Sequence, residues 1–374
     1  PGTPPADGWY FYWSGFSSNA NIDNRDNPIA DGITLYAKMY DHPSAGSGAC
    51  YDQSPQFGMD PIVVIASGKP YIYNQAAIDP DLDSLRFSLA PPQDQYTAGT
   101  FNPPTNPGAI DFNAGYSYTN PTPDATFNAA NVPMNVDPVT GTVTFTSFTQ
   151  GNYVYCIKVE AYRDGQIISE NIRDIQIAVP NMGGYNNDEP DVTPPFNGNT
   201  SFETEVYAGD VVNFNLDFED LDALQDGSQQ NVTVEGYSSQ FGNNFTDPNN
   251  GCNQPPCATL NQSLPATFLQ NGQLDFNWQT DCSHLLNTDG NYVAQNTFLF
   301  VFKISDDYCQ APQNTYATVK VVVKDKDRLP APELTCLQVQ PDGSVEVFWE
   351  TLTNGGNGFV EYQVNNSTMG NVHS

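Results

Sequence analysis

The chain has 374 residues, of which 43 are acidic and only 12 are basic, so its formal net charge at pH 7 is −31. This charge argues against DNA, RNA and anionic membranes as partners, because two polyanions repel each other. Thirty Pro, 29 Gly, 20 Tyr and 22 Phe with only 15% charged residues are typical of short strands joined by turns. The 39% hydrophobic content is sufficient for packed cores, so the composition predicts a folded, all-β chain of several domains.

Neither end of the sequence has the features of a protein terminus. The opening PGTPPADGW contains no initiator Met and no basic or apolar region of a secretion signal. We therefore expect a fragment of a longer protein, with any signal outside it. No apolar run reaches the roughly 18 residues of a membrane-spanning helix, so we predict no membrane insertion in this segment.

Strand-like runs with alternating apolar and polar residues recur along the chain and are rich in β-branched and aromatic side chains. They cover residues 9–13, 33–40, 153–162, 172–179, 211–218, 297–304, 316–323 and 345–349. Pro-, Gly-, Asn- and Asp-rich turns separate them, and no segment carries a sustained helical stripe. The pattern predicts serial β-sandwiches.

Shifts in composition predict the domain boundaries, because residues 181–195 and 325–332 contain no plausible strand and residues 44–54 interrupt the strand pattern. The expected order is C-terminal strands of a preceding domain (1–53), a first full sandwich (54–181), a linker (182–195), a second sandwich (196–326) and the start of a further domain (331–374). In the last segment, PAPELTCLQVQPDGSVEVFWE followed by GFVEYQV resembles the opening of a fibronectin type III domain. Such a domain needs roughly 90 residues, so we expect it to continue beyond Ser374.

The sharpest local signal is IDPDLDSLRFSL, in which Asp79, Asp81 and Asp83 occupy alternate positions. Alternation places the three carboxylates on one side of an extended or turning backbone, and such hard oxygen ligands suit calcium. The alternative is an acidic turn without an ion, since Pro80 fixes the turn and Asp side chains stabilise turns by themselves. We predict calcium here and keep that alternative open.

A second acidic set in the other full unit follows the same logic. Its members are Asp217, Glu219, Asp220 and Asp222, with Asp306 and Asp307 at the end of a later strand. A calcium site between domains could recruit these carboxylates. Their spacing is less regular than in the first set, which favours a solvated acidic loop as the alternative.

Five segments in chain order resemble the cadherin-like or Ig-like repeats of very large Bacteroidetes surface proteins. They are SPQF, DPDLDSL, VDPVTGTVTF, GNYVYCIKVEAYRDG and RDIQI. The resemblance covers about residues 54–180 and continues more loosely through FNLDFEDLD, DFNWQTDC and FVFKISDDYC. It implies an extracellular, multi-domain stalk or adhesin that is exported by type IX secretion and is associated with gliding motility or adhesion.

The chain departs from this family pattern in two places. Leu82 stands where the family's DPDGDSL turn has Gly, and a positive φ is costly for any residue with a Cβ atom. Near the N-terminus, WSGFSSNA lacks the Cys pair that the family often carries after an aromatic strand. Both departures concern loop geometry and cross-linking rather than the order of the strands.

Seven cysteines are present, an odd count for a disulfide-bonded chain. Cys252 and Cys257 enclose the short segment NQPP, and Cys282 and Cys309 flank the strand predicted at 297–304. We predict a disulfide in each pair, as is common in exported proteins. A further candidate pair is formed by Cys50 and Cys156, whereas Cys336 is left without a partner within the sequence.

The sequence offers little support for catalysis. Only three histidines occur, and no GxSxG, HExxH or glycine-rich phosphate loop is present, so we predict no enzymatic activity. By contrast, residues 9–13 place aromatic side chains on both faces of one strand. For Trp9, Tyr10, Tyr12 and Trp13 we predict a binding surface for protein partners in preference to sugars, and the alternative is a strand buried between two layers.

The leading interpretation is therefore a structural and adhesive segment of a large secreted cell-surface protein. We expect it to self-associate into a multimer or fibre and to contact a cell-surface glycan or protein. The alternative is a carbohydrate-binding accessory region of a secreted polysaccharide-degrading enzyme. Flanking sequence would discriminate the two, because the first predicts further repeats and the second predicts a catalytic domain.

Overall fold

The structure is a computed structural model, and packing divides the chain into one unit of residues 1–324 and another of residues 325–374. It describes residues 4–16, 18–43, 52–180, 187–286, 292–309, 312–326, 334–340 and 345–349. No α-helix occurs in these ranges, so the predicted all-β class with tandem β-sandwiches is confirmed. All eight predicted strand-like runs overlap strands of the structure.

Eleven strands build the first sandwich. They are β1 (Trp9–Phe16), β2 (Gly32–Met39), β3 (Gln56–Phe57), β4 (Ile62–Val64), β5 (Pro70–Tyr73), β6 (Ala77–Ile78), β7 (Ser84–Ala90), β8 (Val132–Val136), β9 (Val143–Thr146), β10 (Gly151–Arg163) and β11 (Gln166–Val179). The larger sheet has the order β1-β2-β11-β10-β7, and β4 lies parallel to the end of β11. The smaller sheet has the order β5-β9-β8, and β3 pairs with β6.

The core of the first sandwich lies between its larger and smaller sheets. Tyr155, Ile157 and Ile175 project into it from β10 and β11, and Tyr71 and Phe145 project from β5 and β9. Buried and less buried side chains alternate along β9 and at the end of β11, as the period of two requires, whereas residues 153–157 of β10 are buried on both faces of the sheet. Removing such apolar surface from water stabilises the sandwich by about 25 cal/mol per Å².

Residues 1–53 contribute two strands to this first sandwich, so the prediction that they belong to a preceding domain is wrong. Strand β2 pairs with β1 along its whole length and with Ser169–Asn171 of β11. The loop between β1 and β2 is also tied to β11, because the buried Arg25 forms an ion pair with Asp174 (3.0 Å). The predicted boundary failed because sequence periodicity reports single strands and carries no information on long-range pairing.

Nine strands build the second sandwich. They are β12 (Asp191–Thr193), β13 (Glu203–Tyr207), β14 (Val211–Glu219), β15 (Asn231–Tyr237), β16 (Thr259–Leu260), β17 (Ala266–Leu269), β18 (Asn271–Gln279), β19 (Gln295–Asp306) and β20 (Asn314–Lys324), with 3-10 turns at Asn243–Phe245 and Cys282–Leu285. One sheet has the order β12-β14-β18-β16 and the other β13-β20-β19-β15-β17. The core between them is aromatic, with Phe214, Phe276, Trp278, Phe300 and Phe302 buried together.

The segment predicted as a linker at 182–195 belongs in part to the second sandwich. Residues Asp191–Thr193 form β12, which pairs with the end of β14, and the Nδ2 of the buried Asn187 donates to Oδ2 of Asp306 (2.7 Å). The second sandwich thus begins before residue 196. A three-residue strand is too short for alternation to reveal it, and here pairing with β14 defines it.

The two sandwiches pack directly against each other through side chains. Val301, on the outer face of β19, is buried in the core cluster of the first sandwich. The Nδ2 of Asn74 donates to Oγ1 of Thr318 in β20 (3.0 Å), and the rings of Tyr73 and Tyr316 meet edge to face. The two sandwiches therefore form one packed body instead of two freely linked domains.

In the second unit, β21 (Leu334–Val339) and β22 (Val345–Trp349) form an antiparallel hairpin. The segment GFVEYQV, which completes the resemblance to a fibronectin type III domain, lies outside the described residues. A fibronectin type III domain in this unit stays a prediction.

Asn74 tests the contact between the sandwiches. Its Nδ2 donates to Thr140, Thr142 and Thr318, and its Oδ1 accepts from the N–H of Ala76. We expect Asn74→Ala to lower the free energy of unfolding by about 2 kcal/mol, because buried partners lose their hydrogen bonds. A double-mutant cycle with Thr318→Val should give a coupling energy of at least about 0.5 kcal/mol.

The matched control is Asn102→Ala, since Asn102 is exposed, and it should leave stability unchanged. Chemical denaturation of the whole chain measures all four variants. Additive effects of Asn74→Ala and Thr318→Val would contradict a stabilising contact between the sandwiches at this point.

Candidate functional site

Strand β1 is the outermost strand of the larger sheet and carries exposed aromatic side chains. We call β1 with Phe11, Trp13 and Phe16 the apolar edge, and these three residues are 57%, 62% and 65% exposed. Its sequence, WYFYWSGF, contains no charged residue. In a chain of net charge −31, this is a surface from which acidic side chains are missing.

One face of the apolar edge continues the core face of the first sandwich. Trp9, Phe11 and Trp13 lie opposite Met39, Ala37 and Leu35 of β2. Across the next two strands, Ala37 aligns with Asn171 and then with Val159, which is fully buried. The polar Asn171 interrupts this row, and apolar side chains resume on β2 and β1, where Phe11 and Trp13 remain exposed to solvent.

The opposite face of β1 is partly covered by aromatic side chains of the chain itself, and Tyr12 on this face remains 45% exposed. The ring of Tyr12 stacks on Phe101 with centroids 4.2 Å apart, and Tyr10 meets the same ring edge to face at 5.1 Å. Tyr96 packs against both Tyr12 and Phe101. Of the four predicted binding residues, Tyr10 and Tyr12 therefore help to fix the strand, whereas Trp9 and Trp13 lie on the other face.

The first acidic set surrounds an arginine that the sequence reasoning missed. Arg163, at the end of β10, donates from Nε and Nη2 to both carboxylate oxygens of Asp83 (2.9 and 2.7 Å). Its Nη2 also donates to Oδ1 of Asp52 (3.0 Å) and lies 3.6 Å from Oδ2 of Asp81. One guanidinium therefore compensates charge that the calcium hypothesis assigned to an ion.

Asp79 shapes the acidic turn but makes no ion pair with Arg163. Its Oδ1 accepts hydrogen bonds from the N–H groups of Asp81 and Asp83 (2.9 and 3.3 Å), while its Oδ2 is buried without a hydrogen-bond partner. Burial, reinforced by the negative charge of Asp83, raises the pKa of Asp79 to about 8. Leu82 in the same turn has φ 64°, a left-handed geometry that is unfavourable for a residue with a Cβ atom.

The second acidic set separates into two groups. Asp217 and Glu219 point outward from β14, and Asp217 accepts from Gln273 (2.6 Å). Asp220 is buried, and its Oδ1 accepts from the N–H of Asp222 while its Oδ2 has no hydrogen-bond partner. Burial, together with the nearby charges of Asp306, Asp222 and Asp191, raises the pKa of Asp220 to about 6.

No group of three or more His, Cys, Asp or Glu side chains within the described ranges is arranged to hold a metal ion. Calcium binding therefore stays a prediction, but the two acidic sets differ in how well their donors fit an ion. The first already contains Arg163, and at Asp220 the neighbouring charges that shift its pKa are all carboxylates. The spacing of the aspartates favoured the first acidic set as the calcium site, whereas the charges in the structure favour the second.

The cysteines give one confirmed disulfide and one wrong prediction. Cys252 and Cys257 are bonded, as predicted, whereas Cys282 and Cys309 are free and exposed. Cys282 lies in the turn that packs by His284 against Phe298, near the start of β19, and Cys309 follows the end of that strand. Twelve strand residues span about 40 Å, far beyond the roughly 6 Å between Cα atoms of a disulfide.

Cys156 is also a free thiol, buried in the larger sheet, so the candidate pairing with Cys50 is not formed. Burial, together with the charge of Asp174, raises its pKa. Cys50 itself lies outside the described residues. Cys336, in the hairpin of the second unit, is free and exposed.

Comparison with known proteins gives structural likeness without sequence relatives. No family model and no curated protein matches the chain. The Dpr2 Ig1–Ig2 complex with DIP-Theta Ig1–Ig3 is 12% identical over 73% of this chain and 100% of its own, at a TM-score of 0.22. Drosophila N-cadherin EC1–3 is 10% identical over 85% of this chain and 89% of its own, at a TM-score of 0.21.

The tandem Ig repeats of Dlar are 9% identical over 73% of this chain and 98% of their own length, at a TM-score of 0.21. Superpositions at this level carry no argument about function. The sandwich architecture rests on the sheets described above. In the described part of the chain, none of the helical segments has the length and apolar character needed to cross a bilayer.

The buried carboxyl of Asp79 yields a prediction for the pH dependence of stability. A native pKa of about 8 exceeds the unfolded value of about 3.9, so the native state binds the extra proton between these pH values. The contribution of Asp79 to the free energy of unfolding should therefore be greatest near pH 4 and fall as the pH rises towards 8. Asp79→Asn keeps the Oδ1 acceptor without the acid and should remove much of this fall.

We expect Asp79→Asn to match the wild type near pH 4 and to be more stable than it at pH 8, by about 1.4 kcal/mol for each unit of pKa shift removed. The exposed Asp7→Asn removes one charge without this burial and serves as the control. Urea denaturation in chelator across this pH range measures the difference. A variant that is less stable than the wild type at pH 8 would refute the role of the buried acid.

Proposed function

We propose that this chain is a structural and adhesive segment of a large secreted cell-surface protein and that it makes contact through the apolar edge. The observation that carries the proposal is the exposure of Phe11 and Trp13 on an uncharged strand of a chain with net charge −31. Contiguous exposed aromatic surface of this kind marks interaction sites on soluble proteins. Protein contact is favoured over sugar stacking because an unpaired strand edge lies beside these rings.

The structural part of the proposal follows from the contact between the two sandwiches. Val301 is buried in the core cluster of the first sandwich, and Asn74 bonds to Thr318 of the second. An ion pair between Lys69 and Asp188 adds a further connection. A packed pair resists bending better than two domains on a linker, and this suits a stalk or filament that positions a contact surface away from a cell.

The extracellular location is supported by the disulfide between Cys252 and Cys257, because such bonds persist in oxidising compartments. The order of five segments resembling Bacteroidetes surface repeats adds type IX secretion and a role in gliding or prey attachment to the proposal. Self-association into a multimer or fibre, with a cell-surface glycan or protein as a further target, completes it. A carbohydrate-binding accessory region of a polysaccharide-degrading enzyme remains the competing function.

Calcium enters the proposal at Asp220. Its Oδ2 is buried without a partner beside Asp222 and Asp306, and an ion could compensate the charge that burial there disfavours. The free Oδ2 of Asp220 would be one of its ligands. Bound calcium would stiffen the start of the second sandwich, because Asp222 also accepts from the N–H of Asp188.

We expect excess calcium to raise the melting temperature of the whole chain relative to chelator, since an ion that binds only the folded state stabilises it by mass action. At a free concentration 100 times the dissociation constant, the gain is about 2.7 kcal/mol. Asp220→Asn should abolish the shift, and the exposed Asp226→Asn should retain it. Superimposable melting curves with and without calcium would remove the ion from the proposal.

Adhesion is tested with beads that carry the whole chain at equal density. We expect beads that carry the wild-type chain to aggregate or to be retained on immobilised surface proteins. Retention of beads that carry Trp13→Lys should be lower by a factor of about ten or more. Leu269→Lys, at an exposed position of β17, is the control that should adhere like the wild type. Antibody labelling of intact source cells checks the location.

The competing function predicts a different result in the same assay. Retention on an immobilised neutral polysaccharide, with none on protein surfaces or between beads, would favour the accessory region. Beads that adhere to nothing, or labelling that requires permeabilised cells, would contradict an adhesive surface protein.

A further inference from the structure

The edges of the sheets differ in how they are protected from pairing with another chain. The edge strands β12, β16 and β17 have only three, two and four residues. Strand β13 carries Glu203 and Glu205, which pair with Lys320 and Lys324 of β20. Short length and edge charges are devices by which proteins prevent strand addition.

The other edges of the first sandwich are also protected. Strand β7 carries Arg86, and the N–H of Phe87 donates to the carbonyl of Pro138 (3.1 Å). Strand β5 begins with Pro70, and β8 contains Pro133, whose ring nitrogen cannot donate to a neighbouring strand. These features leave little regular edge for another chain to extend.

Strand β1 has none of these protections. It is eight residues long and contains neither a charged residue nor Pro. Within the described residues, no strand pairs with the side of β1 that faces away from β2. Alternate N–H and C=O groups of β1 therefore point outward in the pattern that a further strand would complete.

We infer that this edge pairs antiparallel with β1 of a second copy of the chain, so that the larger sheets of two copies form one continuous sheet. The inference rests on the proposed contact role of the apolar edge and specifies its partner. An antiparallel pair of identical strands satisfies twofold symmetry, with the same surface used on both sides. The pair is also closed, because the free edge of β1 in each copy is covered by β1 of the other.

The side-chain pattern fits such a pair in one register. With Tyr12 opposite Tyr12 of the second copy, Trp13 lies opposite Phe11 of that copy, and the reverse holds at the other end. Both aromatic pairs then lie on the apolar face, because residues directly opposite in an antiparallel pair share a face. Tyr10 lies opposite Ser14, and no charged residue of β1 meets a like charge.

Electrostatics favours this surface over others for contact between copies. Each copy carries a formal charge of −31, so acidic surfaces repel at low ionic strength. Beside the edge, the ammonium of Lys38 lies 4.8 Å from the ring centroid of Tyr10, which adds positive charge there. Salt shortens the Debye length to about 10 Å at 0.1 M, so association should strengthen as salt is added.

The expected complex is weak in solution, because one strand pair with its flanking rings buries less surface than a stable interface of about 1,600 Å². Analytical ultracentrifugation of the whole chain should show a concentration-dependent dimer in moderate salt and less of it in low salt. Trp13→Lys places a charge on the edge and should raise the dimer dissociation constant at least about tenfold. Leu269→Lys should leave it unchanged, and circular dichroism verifies the fold of both variants.

Cross-linking tests the register. In a chain with Cys50, Cys282, Cys309 and Cys336 changed to Ser, Tyr12→Cys should form a disulfide-linked dimer on mild oxidation. Phe16→Cys, four positions from the twofold axis, should not. Efficient dimers from Phe16→Cys alone would overturn this register.

A wild-type chain that stays monomeric at high concentration in salt overturns the second copy as partner. If beads then adhere to a different protein, the adhesive function stands, and that protein is the partner of the apolar edge. Conversely, a dimer that Trp13→Lys disrupts, together with beads that adhere to nothing, would support the strand pair and contradict adhesion. A dimer that Trp13→Lys does not disrupt overturns the inference.

Discussion

The hairpin of β10 and β11 is the interaction on which the first sandwich depends. Its two strands, of 13 and 14 residues, pair from Gly151–Val179 to Arg163–Gln166. The connection is Asp164-Gly165, with φ values of 50° and 76°, a two-residue turn whose twist matches that of the strands. This short turn sets the register of the first two pairs, and an irregularity between Ala161 and Tyr162 shifts it by one residue for the rest of the hairpin. The resulting register decides which face of the neighbouring strands meets the core.

Every other strand of the larger sheet is attached to this hairpin directly or through one intermediate. Strands β2 and β4 pair with different parts of β11, and β7 pairs with β10. The same hairpin positions the charges, since Arg163 at its turn gathers Asp52 and Asp83. The apolar edge is the last strand of the larger sheet on the β2 side of this hairpin. There Phe11 and Trp13 are exposed to solvent.

Alternation in the sequence predicted the strands well because it is a local property. In β14 it places Val212, Phe214, Leu216 and Phe218 inward, and all four are buried. Pairing between distant strands leaves no such periodic trace, and for that reason β1 and β2 were assigned to the wrong domain. The Cys252–Cys257 bond was predictable because only four residues lie between its ends, whereas Cys282 and Cys309 are separated by a whole strand.

The acidic turn shows the same limit at the level of a site. The sequence placed Asp79, Asp81 and Asp83 together, and they do share one turn. It could not reveal that Arg163, 80 residues beyond Asp83, supplies the positive charge. The apolar edge is an intermediate case, because the aromatic run was evident while the cover that Phe101 provides on one face was not.

The disulfide, the junction and the acidic turn are physically connected. Within the loop that Cys252–Cys257 closes, Asn253 donates from Nδ2 to the carbonyl of Pro80 (2.9 Å). Pro80 follows Asp79, so this bond joins the second sandwich to the turn whose protonation depends on pH. A short disulfide loop holds Asn253 in place at little further entropic cost, because the loop is already constrained. Ionisation of Asp79 would therefore act on the junction as well as on the first sandwich, through a turn that both sandwiches contact.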